Sequence, residues 1–297
     1  MGGKSPVITL NNGVKLPGLG LGVLDRSAIE QTARAVQTAI AHGYRLIDTA
    51  AAYGNERQVG EGIVRSGIDR SEMFITTKLW MSEYGYDRAI RAFNTSLRKL
   101  GLEYIDLYLL HWPVPSDFEA TVESYRAAEK LLAEGRVRAI GVSNFSPRHL
   151  KMLIERTDVV PAVNQVELHP FFIQQNLRET NSELGIITQS WSPLGASVRR
   201  ADLSGAKNPL EHPTLINLAV KYHKAPAQVV IRWHIDHGLS AIPKSFRAER
   251  IAENIDIFDF ALTAEDIAAI DALDTGLRSG PDPEIVHSTT FPIKIED

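Results

Sequence analysis

No cysteine occurs among the 297 residues. That removes disulfides, thiol nucleophiles and cysteine-ligated zinc together, and it agrees with a reducing, cytoplasmic setting. No apolar run approaches the ~18 residues that would suggest a membrane-spanning helix. The opening MGGKSPVITL lacks a basic segment followed by a long apolar core, so no signal peptide is expected. Pro6 stands where a myristoylation signal needs Ser or Thr. Charge of one sign is missing too: 32 basic residues face 36 acidic ones, for a net charge of -4. Without a clustered basic face, no nucleic-acid partner is expected. There is no G-x-G-x-x-G fingerprint. GLGLG at 18–22 comes near, but Val23 and Asp25 occupy the places a third glycine would need. A dinucleotide-binding Rossmann domain is therefore not expected. No linker, low-complexity tract or charge run divides the chain, so residues 1–297 are expected to form one domain.

What is present is apolar material in a regular rhythm. Hydrophobic residues make up 44 % and charged residues 23 %, ordinary values for a globular chain. VITL and VKL flank Asn11-Asn12-Gly13, a hairpin signal. An alternation follows. Residues 28–41 read as a helix and RLIDTA as a strand; 55–66 as a helix and MFITTKL as a strand; 87–100 as a helix and YIDLYLLH as a strand. A helix at about 118–134 precedes RAIGVSN, 147–156 precedes AVNQVEL, 174–184 precedes GIITQSWSP, and 226–237 precedes LSAIPKS and a last helix at about 247–257. With PGLGLG as the first strand this gives eight strands, each a short apolar run of the kind buried on both faces of a parallel sheet. The pattern predicts an α/β fold, a (β/α)8 TIM barrel with an N-terminal β-hairpin; an open doubly wound sheet is the alternative. Helices at 212–223 and 263–273 are two additions to the count. The segment after Gly276, with Pro281 and Pro283, reads as an irregular tail.

A barrel builds its site at the C-terminal ends of its strands. In RLIDTAAAYGNE the strand runs into Asp48, and a carboxylate at the end of a buried strand needs a partner. The next strand carries Lys78 and the one after it ends at His111, while Tyr53 lies in the loop after Asp48. Lys78 is the natural partner of Asp48. A cation near Tyr53 favours the phenolate and is expected to lower the phenol toward working pH. Tyr53 then suits the role of general acid toward an oxygen that gains negative charge, with His111 donating to the same oxygen. Each residue taken singly has a structural explanation; their coincidence at three consecutive strand ends points to chemistry. Lys78 on a barrel strand also admits a Schiff-base aldolase, although such a lysine must be neutral to attack and Asp48 would hold it charged. A non-catalytic barrel that binds a nucleotide is a third possibility.

The motifs DTAAAYGNE, TTKLW, LLHWP, IGVSNF, PAVNQVELHP, SWSPLG and IPKS, in this order and spacing, make the chain resemble the aldo-keto reductases over nearly its whole length. IPKS followed by R..R..EN, together with FDF.LT, resembles the prokaryotic subgroup that includes 2,5-diketo-D-gluconate reductases. The resemblance implies an NADPH-dependent oxidoreductase on a (β/α)8 barrel that transfers hydride to aldehydes or ketones, with keto-sugar acids, dicarbonyls and β-keto esters all open as substrates. It implies a tetrad of Asp48, Tyr53, Lys78 and His111. It implies that Ser143, Asn144 and Gln165 hold the nicotinamide carboxamide, that Trp191 stacks on the nicotinamide, and that Ser192, Leu194 and Gly195 lie near the pyrophosphate. Lys244, Ser245 and Arg250, with Arg247 beside them, match the surroundings of the 2′-phosphate, and Glu253 and Asn254 match contacts to adenine. Trp80 and Trp112 match the substrate pocket, as does Leu24, where many relatives carry an aromatic residue; Met81 stands where an Asn is common. No metal is implied. The partners implied are a small carbonyl substrate and NADPH/NADP+, with a monomeric chain that meets neither membrane nor nucleic acid.

Overall fold

The computed structural model describes residues 5–195 and 208–295. The Asn-Gly signal forms the expected turn. Strands β1 (Val7–Thr9) and β2 (Lys15–Pro17) pair antiparallel around it, with Gly13 at φ 85°. Eight parallel strands follow: β3 (Leu21–Gly22), β4 (Leu46–Asp48), β5 (Phe74–Leu79), β6 (Ile105–Leu110), β7 (Val137–Ser143), β8 (Val163–Glu167), β9 (Ile187–Trp191) and β10 (Ser240–Ala241). They pair strictly in chain order. The cylinder closes through bridges from Leu19 to Ala241 and from Gly22 to Lys244. GLGLG is thus a barrel segment, and the reason for its glycines is steric. A Cβ on Gly20 would lie 2.4 Å from the Leu46 side chain, and one on Gly22 would lie 2.7 Å from the carbonyl oxygen of Ile242.

Helices α1 (Thr32–Ala41), α2 (Glu56–Ser66), α3 (Tyr86–Leu100), α4 (Phe118–Ala133), α5 (Pro147–Ile154) and α6 (Gln175–Glu183) link the strands from β3 to β9. After β9 come α7 (Pro213–Tyr222) and α8 (Pro226–Asp236); after β10 come α9 (Ala248–Ile255) and α10 (Ala264–Asp271). Helices α7 and α10 are the two additions, and they are tied to each other where Lys221 meets Asp266 at 2.6 Å. The first predicted helix begins late, because residues 29–31 form a 3-10 turn before α1. Among the described residues no helix is long and apolar enough to cross a membrane.

Two apolar cores result. The larger fills the shell between strands and helices. The smaller fills the barrel interior with Leu46, Phe74, Leu107, Leu109 and Val163. The hairpin plugs its lower end with Leu10 and Leu16, and Asn11 and Asn12 donate to the carbonyls of Pro161 (3.1 Å) and Arg138 (2.9 Å). With the bottom sealed, polar side chains are left to the opposite mouth, where the strands end.

Candidate active site

Strands β4, β5 and β6 are neighbours, so Asp48, Lys78 and His111 converge at the mouth. The Tyr53 loop is held by its own sequence. Ala51–Tyr53 make one 3-10 turn, and Gly54 ends it at φ 73°. The buried Asn55 then accepts from Thr49 Oγ1 at 2.6 Å and donates to the Val23 carbonyl at 2.8 Å, which ties the loop to the first strand. Glu56, also buried, accepts from Thr77 Oγ1 at 2.6 Å and fixes the start of α2 on β5. The YGNE quartet thereby carries a phenol, a turn glycine and two anchors.

Lys78 is fully buried. Its Nζ donates to Asp48 Oδ1 at 2.5 Å and to the Thr49 carbonyl at 2.9 Å, and it lies 3.4 Å from Tyr53 Oη. Asp48 Oδ2 accepts from Gln165 Nε2 at 2.7 Å, and the same amide nitrogen donates to Gln189 Oε1 at 2.7 Å. Gln189 in turn donates to Ser240 Oγ at 3.0 Å, so a polar ladder crosses four strands. Burial pulls the Lys78 ammonium down, but Asp48 and Tyr53 facing it leave it above its ordinary value. Burial also raises the Asp48 carboxyl, against the pull of Lys78 and Gln165.

Tyr53 corrects one expectation. Lys78 does pull the phenol down, but burial pushes it up harder and the Asp48 charge adds to the push, so it sits above its ordinary value. The lysine arrives already paired, and the Asp48 charge offsets part of its pull on the phenol. The phenol is therefore firmly protonated. His111 moves the other way. Burial first, and then the Lys78 charge, hold it well below its ordinary value, so the imidazole is neutral. Its Nδ1 is buried with no hydrogen-bond partner. A neutral ring with no acceptor at Nδ1 keeps its proton on Nε2, which makes Nε2–H a donor. The rings of Tyr53 and His111 meet edge to face at 5.7 Å. A protonated phenol and an N–H donor stand side by side, an arrangement suited to an oxygen that becomes negative.

Around this centre Trp80 lies 5.1 Å from the His111 ring, and Trp112 stacks parallel to it at 6.5 Å. Phe291, from the tail, packs against both indoles at 6.0 and 5.9 Å. The sequence reading missed Phe291, since an irregular tail carries no periodicity to place it. Leu24 is half exposed at 52 %. Met81 is buried behind the rim.

The residues read as carboxamide and nicotinamide contacts also come together. Ser143 donates to the Gln165 carbonyl at 2.8 Å. Asn144 takes φ 66°, a left-handed conformation that asparagine tolerates. This lets its backbone N–H reach the Gln165 carbonyl at 2.9 Å while its side-chain amide donates to the His111 carbonyl at 3.0 Å. Trp191 donates its indole N–H to Asn144 Oδ1 at 2.8 Å. Ser192 follows at φ 47°, and Gly195 N–H closes a turn on the Ser192 carbonyl at 2.9 Å; Leu194 is half-buried between them. Gln189, which the reading passed over, shares a strand face with Trp191 through the two-residue alternation of β9.

Past the end of β10, Lys244, Arg247 and Arg250 are exposed around the start of α9, and Ser245 is nearly buried beneath them. Ser245 Oγ accepts from Arg247 N–H at 3.2 Å. Lys244 is not free: it pairs with Asp25 at 2.7 Å, and that contact is the largest cause of holding the Asp25 carboxyl down at about 2. Asn254 is buried and Glu253 exposed on α9. Among the described residues, no group of His, Asp or Glu is arranged to hold a metal ion.

A closed eight-stranded barrel whose mouth joins a lysine–carboxylate pair, a phenol and a neutral imidazole defines a class of barrel protein built for chemistry at a polarised oxygen. A family model described as "Aldo/keto reductase family" matches residues 18–275, and the chain belongs to that family. It is 56 % identical over 294 residues to morphine 6-dehydrogenase of Pseudomonas putida, a match covering 98 % of this chain and 99 % of the relative. It is 46 % identical to methylglyoxal reductase DkgA of Escherichia coli, covering 94 % of this chain and 97 % of the relative. Among solved structures, an aldo-keto reductase of Bombyx mori in complex with NADP superposes with a TM-score of 0.87 at 40 % identity, covering 93 % of this chain and 95 % of that one.

Proposed function

We propose that the chain is an NADPH-dependent reductase of aldehydes and ketones in which Tyr53 gives a proton to the carbonyl oxygen. The observation that carries this reading is the placement of Lys78 Nζ, 2.5 Å from Asp48 and 3.4 Å from Tyr53 Oη, beside a neutral His111. The mouth fits a nicotinamide cofactor: Ser143, Asn144 and Gln165 offer the neutral donors and acceptors an amide needs, and Trp191 offers a flat face. Exposed Arg250 and Arg247, with Ser245 and Lys244, would hold the 2′-phosphate at the start of α9. Ser192, Leu194 and Gly195 would line the pyrophosphate, and Glu253 and Asn254 would meet the adenine. When bound, NADPH supplies a hydride to the carbonyl carbon. Tyr53 Oη–H and His111 Nε2–H orient the carbonyl oxygen between them. As that oxygen becomes an alkoxide it takes the Tyr53 proton, and Lys78 steadies the phenolate left behind.

The substrate class follows from the rim. Trp80, Trp112 and Phe291 make an apolar mouth, with Leu24 as a further candidate at its edge, and such a mouth favours aromatic or alicyclic carbonyls. Desolvating the carboxylate of a keto-sugar acid against these rings is costly. The relative named for dehydrogenating morphine supports a bulky ring ketone or alcohol, and the one named for methylglyoxal supports small dicarbonyls. The test is the loss of NADPH absorbance with an aromatic aldehyde, a bicyclic ketone, methylglyoxal, a β-keto ester and a diketo-gluconate, with NADH in parallel. The expected result is turnover preferring NADPH, with the aromatic and cyclic carbonyls ahead of the diketo-gluconate. Tight NADPH binding with no turnover on any of the five would overturn the reading.

A further inference from the structure

Glu167 ends β8 as a fully buried carboxylate that takes no part in the proposed chemistry. Its partners come from the tail, 112 and 113 residues further along the chain. Oε1 accepts the backbone N–H of Ser279 at 2.7 Å and the Ser279 hydroxyl, and it also faces His169 Nε2 at 3.2 Å. Oε2 accepts the backbone N–H of Gly280 at 2.9 Å. Two consecutive N–H groups and a hydroxyl thus converge on one carboxylate, the charge-assisted geometry that holds a chain firmly.

What the clasp holds is pressed against Trp191. In the sheet Glu167 and Trp191 are register partners on β8 and β9. A Cβ on Gly280 would lie 2.5 Å from Trp191 Cη2 and 2.8 Å from Glu167 Oε2, so the glycine backbone abuts the benzo edge of the indole. At the opposite edge the indole N–H is tied to Asn144 at 2.8 Å. The ring is therefore fixed at both ends, and one of those ends is the tail. Beside the tail lies a cavity of about 250 Å³, lined by Asn144, Phe145, Phe172, Leu177, Asp274 and Arg278. Glu167 anchors this stretch by accepting three hydrogen bonds that the tail donates.

We propose that Glu167 is a positioning residue for the cofactor: through Ser279 and Gly280 it locks the indole of Trp191 in the plane on which the nicotinamide seats. This rests on the reading of Trp191 as the nicotinamide's stacking partner. The clasp lets the ring be ordered before the cofactor arrives, which lowers the entropic cost of binding. Because the same tail carries Phe291 to the substrate rim, one segment shapes both halves of the site.

The test titrates NADPH into the full chain and its Glu167→Gln, Gly280→Ala and Phe291→Ala variants, following tryptophan fluorescence. Trp191→Phe identifies the share of the quench that comes from Trp191. The expected result is that Gly280→Ala and Glu167→Gln weaken NADPH about 3- to 10-fold, the range for ordering one side chain during binding instead of beforehand. They also lose most of the Trp191 quench. Phe291→Ala is expected to raise the carbonyl KM and leave NADPH affinity unchanged. If Glu167→Gln does not fold, Ser279→Ala, which deletes only the hydroxyl donor, is measured in its place with the same expectation. Wild-type affinity and full quench in the folded variants would overturn the proposal. Failure of the wild-type chain itself to bind NADPH would instead overturn the cofactor reading.

Discussion

The Asp48–Lys78 pair has two separable jobs, and a double-mutant cycle tells them apart. Both groups are essentially without solvent, at 1 % and 0 % exposure, and lie 2.5 Å apart. Lys78→Met leaves the Asp48 carboxylate with only the Gln165 amide, 2.7 Å away. Asp48→Asn leaves the ammonium facing the Thr49 carbonyl and a neutral phenol. Removing one partner of a buried pair costs about 3–5 kcal/mol, because the other charge is stranded. For a chain of this size that is on the order of a 5–8 °C fall in Tm for each single variant. The double variant strands no charge. It is left with an imperfectly satisfied amide worth about 1–3 kcal/mol, so the coupling between the two positions exceeds roughly 3 kcal/mol. Activity follows a different rule. Lys78→Met and the double variant take from Tyr53 the cation that steadies its phenolate, so these two lose about 10²- to 10⁴-fold in turnover, while Asp48→Asn keeps the ammonium 3.4 Å from Tyr53 Oη and loses less. The outcome expected from urea unfolding and NADPH consumption is a double variant that is more stable than either single and as inactive as Lys78→Met. Additive stability losses, or a double variant that keeps its turnover, would refute the reasoning.

Three further outcomes are expected. Tyr53→Phe removes the proton and loses about 10²- to 10⁴-fold in carbonyl reduction, while NADPH affinity, read by fluorescence titration, stays near wild type; an active variant would move the acid elsewhere. Arg250→Ala weakens NADPH more than NADH in parallel titrations, since only the former has a 2′-phosphate to lose, and equal losses would remove Arg250 from that site. His234, fully buried between the carbonyls of Val230 and Leu168, is held chiefly by burial at about 4. A depressed histidine takes up its proton more readily when unfolded, so its contribution to stability is present above about pH 6.5 and lost as pH falls toward 4. Between pH 7 and 5 that removes about 2 kcal/mol, and urea midpoints should show a shallower fall over this window in His234→Gln than in wild type.

The legible parts of the sequence were those written locally. The hairpin came from three residues, and the helix read at 87–100 is Tyr86–Leu100. Polar residues closing apolar runs brought Asp48, Lys78 and His111 together because strand neighbours in a parallel barrel are sequence neighbours too. What escaped is set by pairing across long separations. Gln165, 117 residues from Asp48, was read as a nicotinamide contact, and its hydrogen bond to the Asp48 carboxylate was not foreseen. Lys244 was read among the surroundings of the 2′-phosphate, and its pairing with Asp25, 219 residues away, was not foreseen. The acid at the end of AVNQVEL gave no sign of its role, since its donors are backbone N–H groups of a tail without periodicity.

The direction of the Tyr53 shift was misjudged for a different reason, because the cation beside the phenol was weighed without the burial that outweighs it, and the correction clarifies the chemistry. A cation alone would turn the phenol toward phenolate, which is the wrong form to donate. Burial first, and then the Asp48 charge, outweigh the cation and leave the phenol protonated in the ground state. In the proposed reduction, when the proton departs, the negative charge would appear on Oη, only 3.4 Å from Nζ and shielded from water, where attraction is far stronger than at the surface. Lys78 therefore discriminates between states: it does little to the resting acid and much to the phenolate formed with the alkoxide's protonation. His111, kept neutral by the same burial and the same ammonium, adds a donor without adding a competing proton source. Both groups thus hold one protonation state each around neutrality, and interaction energy is concentrated where catalysis requires it, in the state with charge on oxygen.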